Sequence, residues 1–461
     1  MKIKYIKNIR LIAFLAVIVL IAPTLAGCGR NNPSQYSMSM EVWGVFDEAS
    51  DYSELMYEYA GINPFLVDIK YKKFTIENYK EDLLDALAAG NGPDIFMINN
   101  AWISEFENKV APAPEYLINE QEFLNNFVDV VVDDFVDNEG QIYGAPLSVD
   151  SLALYYNKDL FKAESIASPP ETWEDVVEDT KKITKIDDFG KIYRSGIAMG
   201  TADNINRSSD IISLLLFQNG VQMPSRDRKS FNVNNNIGEE VLKFYSQFAR
   251  SSSPSYSWNN DMHYSIDAFY EGDLAMMINY SWHRETLRNK NAKLDFAIAP
   301  VPQLYPENPS NNANYWSFVV NKTKQAETRG EGSVPVNNKE RIHEAWQFLK
   351  YLTFKNDGSF NITNIKSGNS KSMPLDIDPA SKYLIKTNKP AARRDLAENQ
   401  KTDPVIGPFA KGNIMAESWY RKDSEEIEGV WAEAITLINK GDVTIGEAFN
   451  LASRRIREIN N

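Results

Sequence analysis

Residues with catalytic potential are abundant in this chain, but their spacing is not that of a catalyst. There are 63 acidic residues, three His and one Cys in 461 positions. The Gly-x-Ser-x-Gly nucleophile elbow, the His-Glu-x-x-His zinc pair, the Walker A phosphate loop and the Gly-x-Gly-x-x-Gly dinucleotide turn are all missing. His343-Glu344 is followed by Ala345, Trp346 and Gln347, so no second imidazole falls one helical turn on. Asp137-Asn138-Glu139-Gly140 has the composition of a Ca²⁺ loop without its regular spacing or closing Glu, and reads as a hairpin turn. No metal or cofactor is expected. Glycoside hydrolysis needs only a pair of carboxylates, which so acidic a chain supplies by chance, so a secreted carbohydrate-active enzyme stays open.

The aromatic residues carry more information. Sugars present flat C–H faces flanked by hydroxyls, and proteins meet them with Trp and Tyr rings for stacking and with carboxylate, amide or Arg groups for directional hydrogen bonds. The chain has nine Trp. Trp346 and Trp431 fall inside helical patterns and read as core, and Trp173 reads as packing a helix start. The remaining six, Trp43, Trp102, Trp258, Trp282, Trp316 and Trp419, fall at strand ends or in loops, where a ligand wall and a structural role are both open.

Strands and helices alternate in the manner of an α/β protein. Met38 to Val45 predicts a first strand, Asp51 to Ala60 a helix and Phe65 to Tyr71 a second strand. The next helix carries Tyr79, Leu83, Leu84 and Leu87 on one face, stops at Gly90, and is followed by the buried strand Ile95 to Ile98. This alternation predicts a parallel sheet with ligand loops at the carboxyl ends of its strands. From Tyr143 to Phe161 a Gly-Pro turn leads into an alternating strand ending at Asn157-Lys158-Asp159. Similar α/β patterns lie on both sides, so this strand is expected to cross between two lobes, with a binding cleft beside it. The second unit opens with Thr172 as helix cap and Asp175 at the capping-box position. Helices follow at Asp210 to Phe217 and Val241 to Phe248, then strands at Leu274 to Ile278 and Leu294 to Pro302. Tyr315 to Val320 is read as a second crossing strand, helix Arg341 to Phe354 as belonging to the first lobe, and Met373-Pro374 as the final crossing. Helices Glu425 to Asn439 and Ile445 to Ile459 end the chain, and the polar stretch Lys322 to Lys339 is expected to be exposed.

The first residues read as an export signal rather than as part of the fold. Lys2, Lys4, Lys7 and Arg10 precede the apolar run Leu11 to Thr24, too short to span a bilayer. Leu25-Ala26-Gly27-Cys28 has the form of a bacterial lipobox, with Cys28 as the lipidated residue; as the sole Cys it has no intramolecular disulfide partner. Cleavage before Cys28 removes four positive charges and no negative ones, taking the net charge from −14 to −18. So acidic a chain offers no basic surplus for nucleic acid. Gly29 to Ser37 reads as a polar tether.

Several stretches, in the same order, resemble a known family. Tyr-Gly-x-Pro, an acidic residue, then Leu-x-Leu-x-Tyr-Asn-Lys-Asp-Leu over 143–160 resembles the first crossing strand of extracellular solute-binding proteins of ABC importers, specifically the maltodextrin-binding-like carbohydrate family. Ala-Ala-Gly-Asn-Gly-Pro-Asp-Ile at 88–95 and Phe-Tyr-Glu-Gly-Asp-Leu-Ala-Met-Met-Ile-Asn at 269–279 are similar to further signatures. The resemblance covers essentially everything after the tether. It implies a type II periplasmic-binding-protein-like fold, two α/β lobes with mixed sheets joined by hinge strands. Residues 38–148 and 316–372 would form lobe 1, and 149–315 and 373–461 lobe 2. It also implies a lipid-anchored monomer on the outer face of the cytoplasmic membrane that captures a sugar or oligosaccharide and delivers it to permease subunits, with no chemistry of its own. A receptor for a non-sugar solute on the same fold is the other alternative.

Matching by position, the resemblance suggests ligand contacts at Trp43 and Asp47 after the first strand, although Asp47 also suits a helix cap. It suggests Asn99, Asn100 and Trp102 behind the Pro-Asp-Ile strand, Asp150 at the acidic hinge position and Trp282 as the second-lobe stacking ring. Arg207, Trp258, Trp316 and Trp419 are added by context. Where maltodextrin binders carry an Asp-Arg pair this chain has Ala101-Trp102, so the resemblance does not extend to maltose as the ligand.

Overall fold

The computed structural model describes residues 38–225, 231–324 and 336–461. The export signal, Cys28, the tether and the middle of the polar stretch Lys322 to Lys339 lie outside them. Thirteen strands are described: β1 (Met38–Gly44), β2 (Leu66–Lys73), β3 (Ile95–Asn99), β4 (Ala153–Asn157), β5 (Lys185–Ile186), β6 (Ile192–Ile197), β7 (Leu274–Asn279), β8 (Phe296–Pro300), β9 (Asn311–Asn312), β10 (Trp316–Val320), β11 (Ser359–Thr363), β12 (Ser370–Pro374) and β13 (Ala416–Glu417).

Two sheets each carry a hydrophobic core. The first has the order β10-β3-β1-β2, with β1 parallel to both neighbours and β10 antiparallel to β3. The second has the order β5-β6-β7-β4-β8, with β6 and β7 parallel and β4 antiparallel to β7 and β8. Both are mixed, as strands returning from the other lobe must run against those built by local β-α-β units. Local signals set the ends of elements as expected. Thr172 and Asp175 form a capping box, and Gly272 ends a helix at φ +92°, a backbone region that only Gly enters without strain, just before the fully buried β7.

Residues 38–149 supply one core and residues 152–301 the other, so the chain changes lobes between Val149 and Leu152. The crossing therefore precedes β4, which is an internal strand of the second sheet. Asn157, expected to begin a turn, instead caps helix Lys158–Ala163 through its side-chain oxygen.

Three segments meet at the hinge. Ser151 bridges Ala313, Asn314 N–H donates to the Asp150 carbonyl at 2.9 Å, and β9 pairs in parallel with β13. Asn413 Nδ2 ties the third segment to the first by donating to the Val149 carbonyl at 2.6 Å. Gly412 is required there because a Cβ would stand 2.3 Å from Ser151 Oγ and 2.5 Å from Asn311 Nδ2.

Two expected crossings move accordingly. Trp316–Val320 is not a hinge strand but the edge of the first sheet, its apolar residues packed in that core; the crossing is the short segment before it. Met373-Pro374 does not recross but forms a hairpin with β11. Ala380, Tyr383, Leu384, Ala391, Ala392 and Ala397 remain in the first core, because helix Pro379–Thr387 packs on helices Ala49–Ile62 and Asn338–Thr353. The boundary set at 373 thus moves to the stretch between Ala397 and Trp419, where Phe409 belongs to the second core and Ala416 still to the first.

Candidate ligand-binding site

At the carboxyl end of β1 and β3 the first lobe gathers aromatic rings. Trp316 lies opposite Asn99 in the β10–β3 register. Trp102 meets it edge-on at 4.9 Å, and Phe46 does so at 5.4 Å. Trp43 packs on Phe74 at 4.5 Å, and Phe74 on Tyr79. Trp43 and Trp102 are buried and Trp316 half-buried, whereas Phe46 is 56% exposed. The open surface of this wall is therefore Phe46 and part of Trp316. Lysines cover the other two rings, Lys72 over Trp43 at 4.7 Å and Lys80 over Trp102 at 5.1 Å.

The acidic candidates spend their acceptor capacity inside the protein. Asp47 accepts from Tyr52 Oη at 2.6 Å, Tyr383 Oη at 2.8 Å and the Lys389 ammonium. Burial raises its pKa, but Lys389 and the two phenols outweigh that and hold the carboxyl below the usual range. Asp47 does not cap the following helix; that capping box belongs to Glu48 and Asp51. Asp150 accepts from Ser281 N–H at 3.0 Å, Ser281 Oγ at 2.5 Å and Ser151 N–H at 3.0 Å. Burial dominates these bonds and pushes its carboxyl up to about 7.

Asn99 and Asn100 are likewise committed. Asn99 Oδ1 caps the turn at Ala101, and its Nδ2 donates to Asn314 Oδ1 at 2.8 Å. Asn100 donates to Asp134, which also accepts from Tyr315 Oη at 2.6 Å and from Ser418 Oγ, and which burial raises to about 6.

The second lobe presents one open ring. Trp282 is 41% exposed and stacks on buried Tyr280, centroids 4.6 Å apart and planes 20° apart. Tyr280 is locked from three sides: its hydroxyl donates to Asp210 at 2.9 Å and accepts from Asn312 Nδ2 at 2.9 Å, and its carbonyl accepts from Tyr155 Oη at 2.6 Å. The Arg207 guanidinium lies 5.8 Å from the Trp282 ring. Arg207 itself holds a left-handed backbone, φ +63°, at the start of helix Ser208–Gln218, a conformation costing a non-Gly residue about 1–3 kcal/mol. Asp210 faces Arg421 Nη1 at 3.9 Å, and Glu428 acts electrostatically on Arg207 and Asp210.

Two expected wall residues are core instead. Trp258 is 0% exposed and donates to Asn204 Oδ1 at 3.0 Å, because the segment carrying it folds under the 201–206 loop. Trp419 is buried in the second core, donating to Ser213 Oγ at 3.1 Å beneath the Arg421 guanidinium. The structure also adds Phe46, Tyr280, Asp210 and Glu428. Phe46 was legible as an aromatic beside Trp43; the others carry no local signal.

The two aromatic sets are tied to one hinge. Trp316 follows Asn314 by two residues, Asn314 is bonded to Asn99 and Asp150, and Asp150 holds Ser281, the neighbour of Trp282. Rings on each lobe thus stand a few residues from a shared pivot. Among the described residues no cluster of three or more His, Cys, Asp or Glu suits a metal ion, and no helix is long and apolar enough to cross a membrane.

A model of the family described as bacterial extracellular solute-binding protein matches residues 67–356, well over half of the chain. A maltotriose-binding protein of Pyrococcus abyssi is 23% identical over 388 residues, 84% of this chain and 73% of its own length. Among solved structures, a cyclic alpha-maltosyl-1,6-maltose binding protein from Arthrobacter globiformis superposes with TM-score 0.69 at 16% identity, covering 92% of this chain and 99% of that one. The sugar-binding protein MalE from Xanthomonas citri does so with TM-score 0.66 at 17% identity, covering 92% and 97%.

Proposed function

This chain belongs to the bacterial extracellular solute-binding protein family, and we propose that it captures a sugar or oligosaccharide between its two lobes for delivery to the membrane subunits of an ABC importer. The observation that carries this reading is the pair of ring sets, Phe46 with Trp316 and Trp282 on Tyr280, fixed on opposite sides of one three-segment hinge. Stacking faces on both lobes suit a ligand with two apolar ring faces. They also give the ligand contacts that exist together only when the lobes approach, which is the condition for a ligand to drive closure. The sugar-binding relatives support the choice of ligand class.

In this reading no bond is made or broken, and the protein acts as a single copy. The Leu-Ala-Gly-Cys sequence supports export and lipid attachment at Cys28, with residues 29–37 as a tether on the outer face of the cytoplasmic membrane.

A thermal-shift panel tests the ligand class: glucose, galactose, maltose, maltotriose and mannotriose, with galacturonic and glucuronic acids beside their neutral counterparts. A saccharide present at about 100 times its dissociation constant stabilises the folded protein by about 2.7 kcal/mol. A panel without a single stabilising saccharide, at concentrations up to tens of millimolar, contradicts the reading.

A further inference from the structure

We propose that Arg207 and Trp282 form a subsite for an acidic sugar, in which the ring lies on Trp282 and an anionic substituent, a carboxylate or a sulfate or phosphate ester, meets the guanidinium of Arg207. The inference rests on the sugar-capture reading and narrows its ligand class.

Arg207 is one of several partly or fully buried arginines without an ion pair among the described residues, Arg284 being another, and Arg284, Arg341 and Arg421 also hold buried nitrogens without a hydrogen-bond partner; what sets Arg207 apart is its place beside an exposed Trp ring. Arg393 meets Asp378 and Asp395 at 2.7 Å each, Arg341 lies 3.6 Å from Asp94 and Arg394 2.7 Å from Asp129. Arg207 makes no ion pair of that kind among the described residues, and its Nε is buried without a hydrogen-bond partner. Its contact is instead the face of a half-exposed Trp. Asp210 and Glu428 act on Arg207 electrostatically and favour its charged form, while Asp210 also accepts from Tyr280 and faces Arg421 Nη1 at 3.9 Å. The guanidinium lies near the ring whose exposed surface a sugar would contact.

A desolvated guanidinium recovers little from a neutral hydroxyl but much from an anion, through shorter, charge-assisted and often bidentate bonds. The neighbouring imidazole offers no competing cation, because burial together with Arg207 holds His283 down to about 4. The backbone supports the assignment. A non-Gly residue in the left-handed region persists only where its surroundings enforce it, and such strain concentrates at ligand contacts. Here the Arg207 carbonyl accepts from Asp210 N–H and Ile211 N–H, each at 3.1 Å, which fixes the residue at the helix start. The net charge of −14 does not draw anions from a distance, so recognition must be made at this local cation.

The test is calorimetric titration of the full-length protein in detergent, at neutral pH, with matched probes: galactose against galacturonic acid, glucose against glucuronic acid, and glucose against glucose 6-sulfate and glucose 6-phosphate. At least one anionic probe should bind about tenfold or more tighter than its neutral counterpart, and the carboxylate or ester arm that does so identifies the substituent. Arg207→Gln should bring that ratio close to one. Arg207→Lys, which keeps the charge without the fork, should leave an intermediate ratio, and it serves alone if the Gln variant has no cooperative melting transition. Neutral probes binding as tightly as anionic ones, or an anionic preference that survives Arg207→Gln, overturns the subsite while leaving sugar capture intact. Absence of binding by any saccharide, neutral or acidic, overturns both.

Discussion

Removing the Trp282 ring separates its two possible roles, because only one of them predicts a loss of affinity. As a stacking platform it offers the 41% of its surface now open to solvent. A Trp buries about 150–250 Å² when fully covered, so a ligand can cover roughly 60–100 Å² of this one, worth about 1.5–2.5 kcal/mol at about 25 cal/mol per Å². Trp282→Ala should therefore weaken saccharide binding by about 10- to 70-fold. The cost to the unliganded fold is at least as large: the part of the ring already covered, roughly 90–150 Å², contributes about 2–4 kcal/mol, and the Tyr280 contact at 4.6 Å adds about 0.5–1.5 kcal/mol, so affinity and not stability separates the roles. Calorimetry gives the affinity and a melting curve without ligand gives the stability. A variant that binds within about twofold of wild type would refute the placement of Trp282 on the ligand and make it a packing residue.

Three further outcomes are expected. Asp150→Asn puts an amide N–H against the Ser281 or Ser151 donors and should cost about 1–3 kcal/mol in the unliganded protein. Because its folded pKa of about 7 lies above the ordinary 3.8, the stability that Asp150 contributes is present in full below about pH 4 and is lost as pH rises through about 7. The difference in unfolding free energy between wild type and Asp150→Asn should therefore shrink from about pH 4 to about pH 7 and level off above that; a flat difference would show that burial does not control this carboxyl. Trp258→Ala should lose about 3–5 kcal/mol of stability with affinity nearly unchanged, and a tenfold loss of affinity in a well-folded variant would return Trp258 to the ligand wall. Cys28→Ser should abolish incorporation of labelled fatty acid and change the protein's retention at the membrane; label persisting on that variant would defeat the lipobox assignment.

Regular elements were legible because their signals are local. The apolar run at Ile95–Ile98, the Thr172–Asp175 capping box and Gly272 ahead of β7 each fix a strand or a helix end within a few residues. The hinge was not, since two of its segments hold two-residue strands, Asn311–Asn312 and Ala416–Glu417, defined by pairing across the fold and not by any pattern of their own. The apolar run Tyr315 to Val320 reads as a crossing strand, because apolar alternation says nothing of which sheet a strand joins, and its pairing with β3 makes it an edge strand instead. Asp47 and Asp150 looked like free acceptors because their partners are distant in sequence: Lys389 stands 342 positions from Asp47 and Ser281 131 from Asp150. Burial of Trp258 and Trp419 is likewise a tertiary outcome, whereas Trp282 and Trp316 flank the hinge with part of each ring open to solvent. Arg207 was suggested by context alone, and its left-handed backbone and unpartnered Nε have no counterpart in composition or periodicity.

The central claim is capture of a saccharide without chemistry, and the most direct measurement of it is titration calorimetry of the full-length protein with the saccharide that stabilises it, followed by chromatography of the ligand recovered from the cell. Saturable binding of one saccharide per chain, with the ligand returned unchanged, is the predicted result. Absence of saturable binding by any saccharide, or catalytic release of shorter products by a homogeneous preparation, would contradict it.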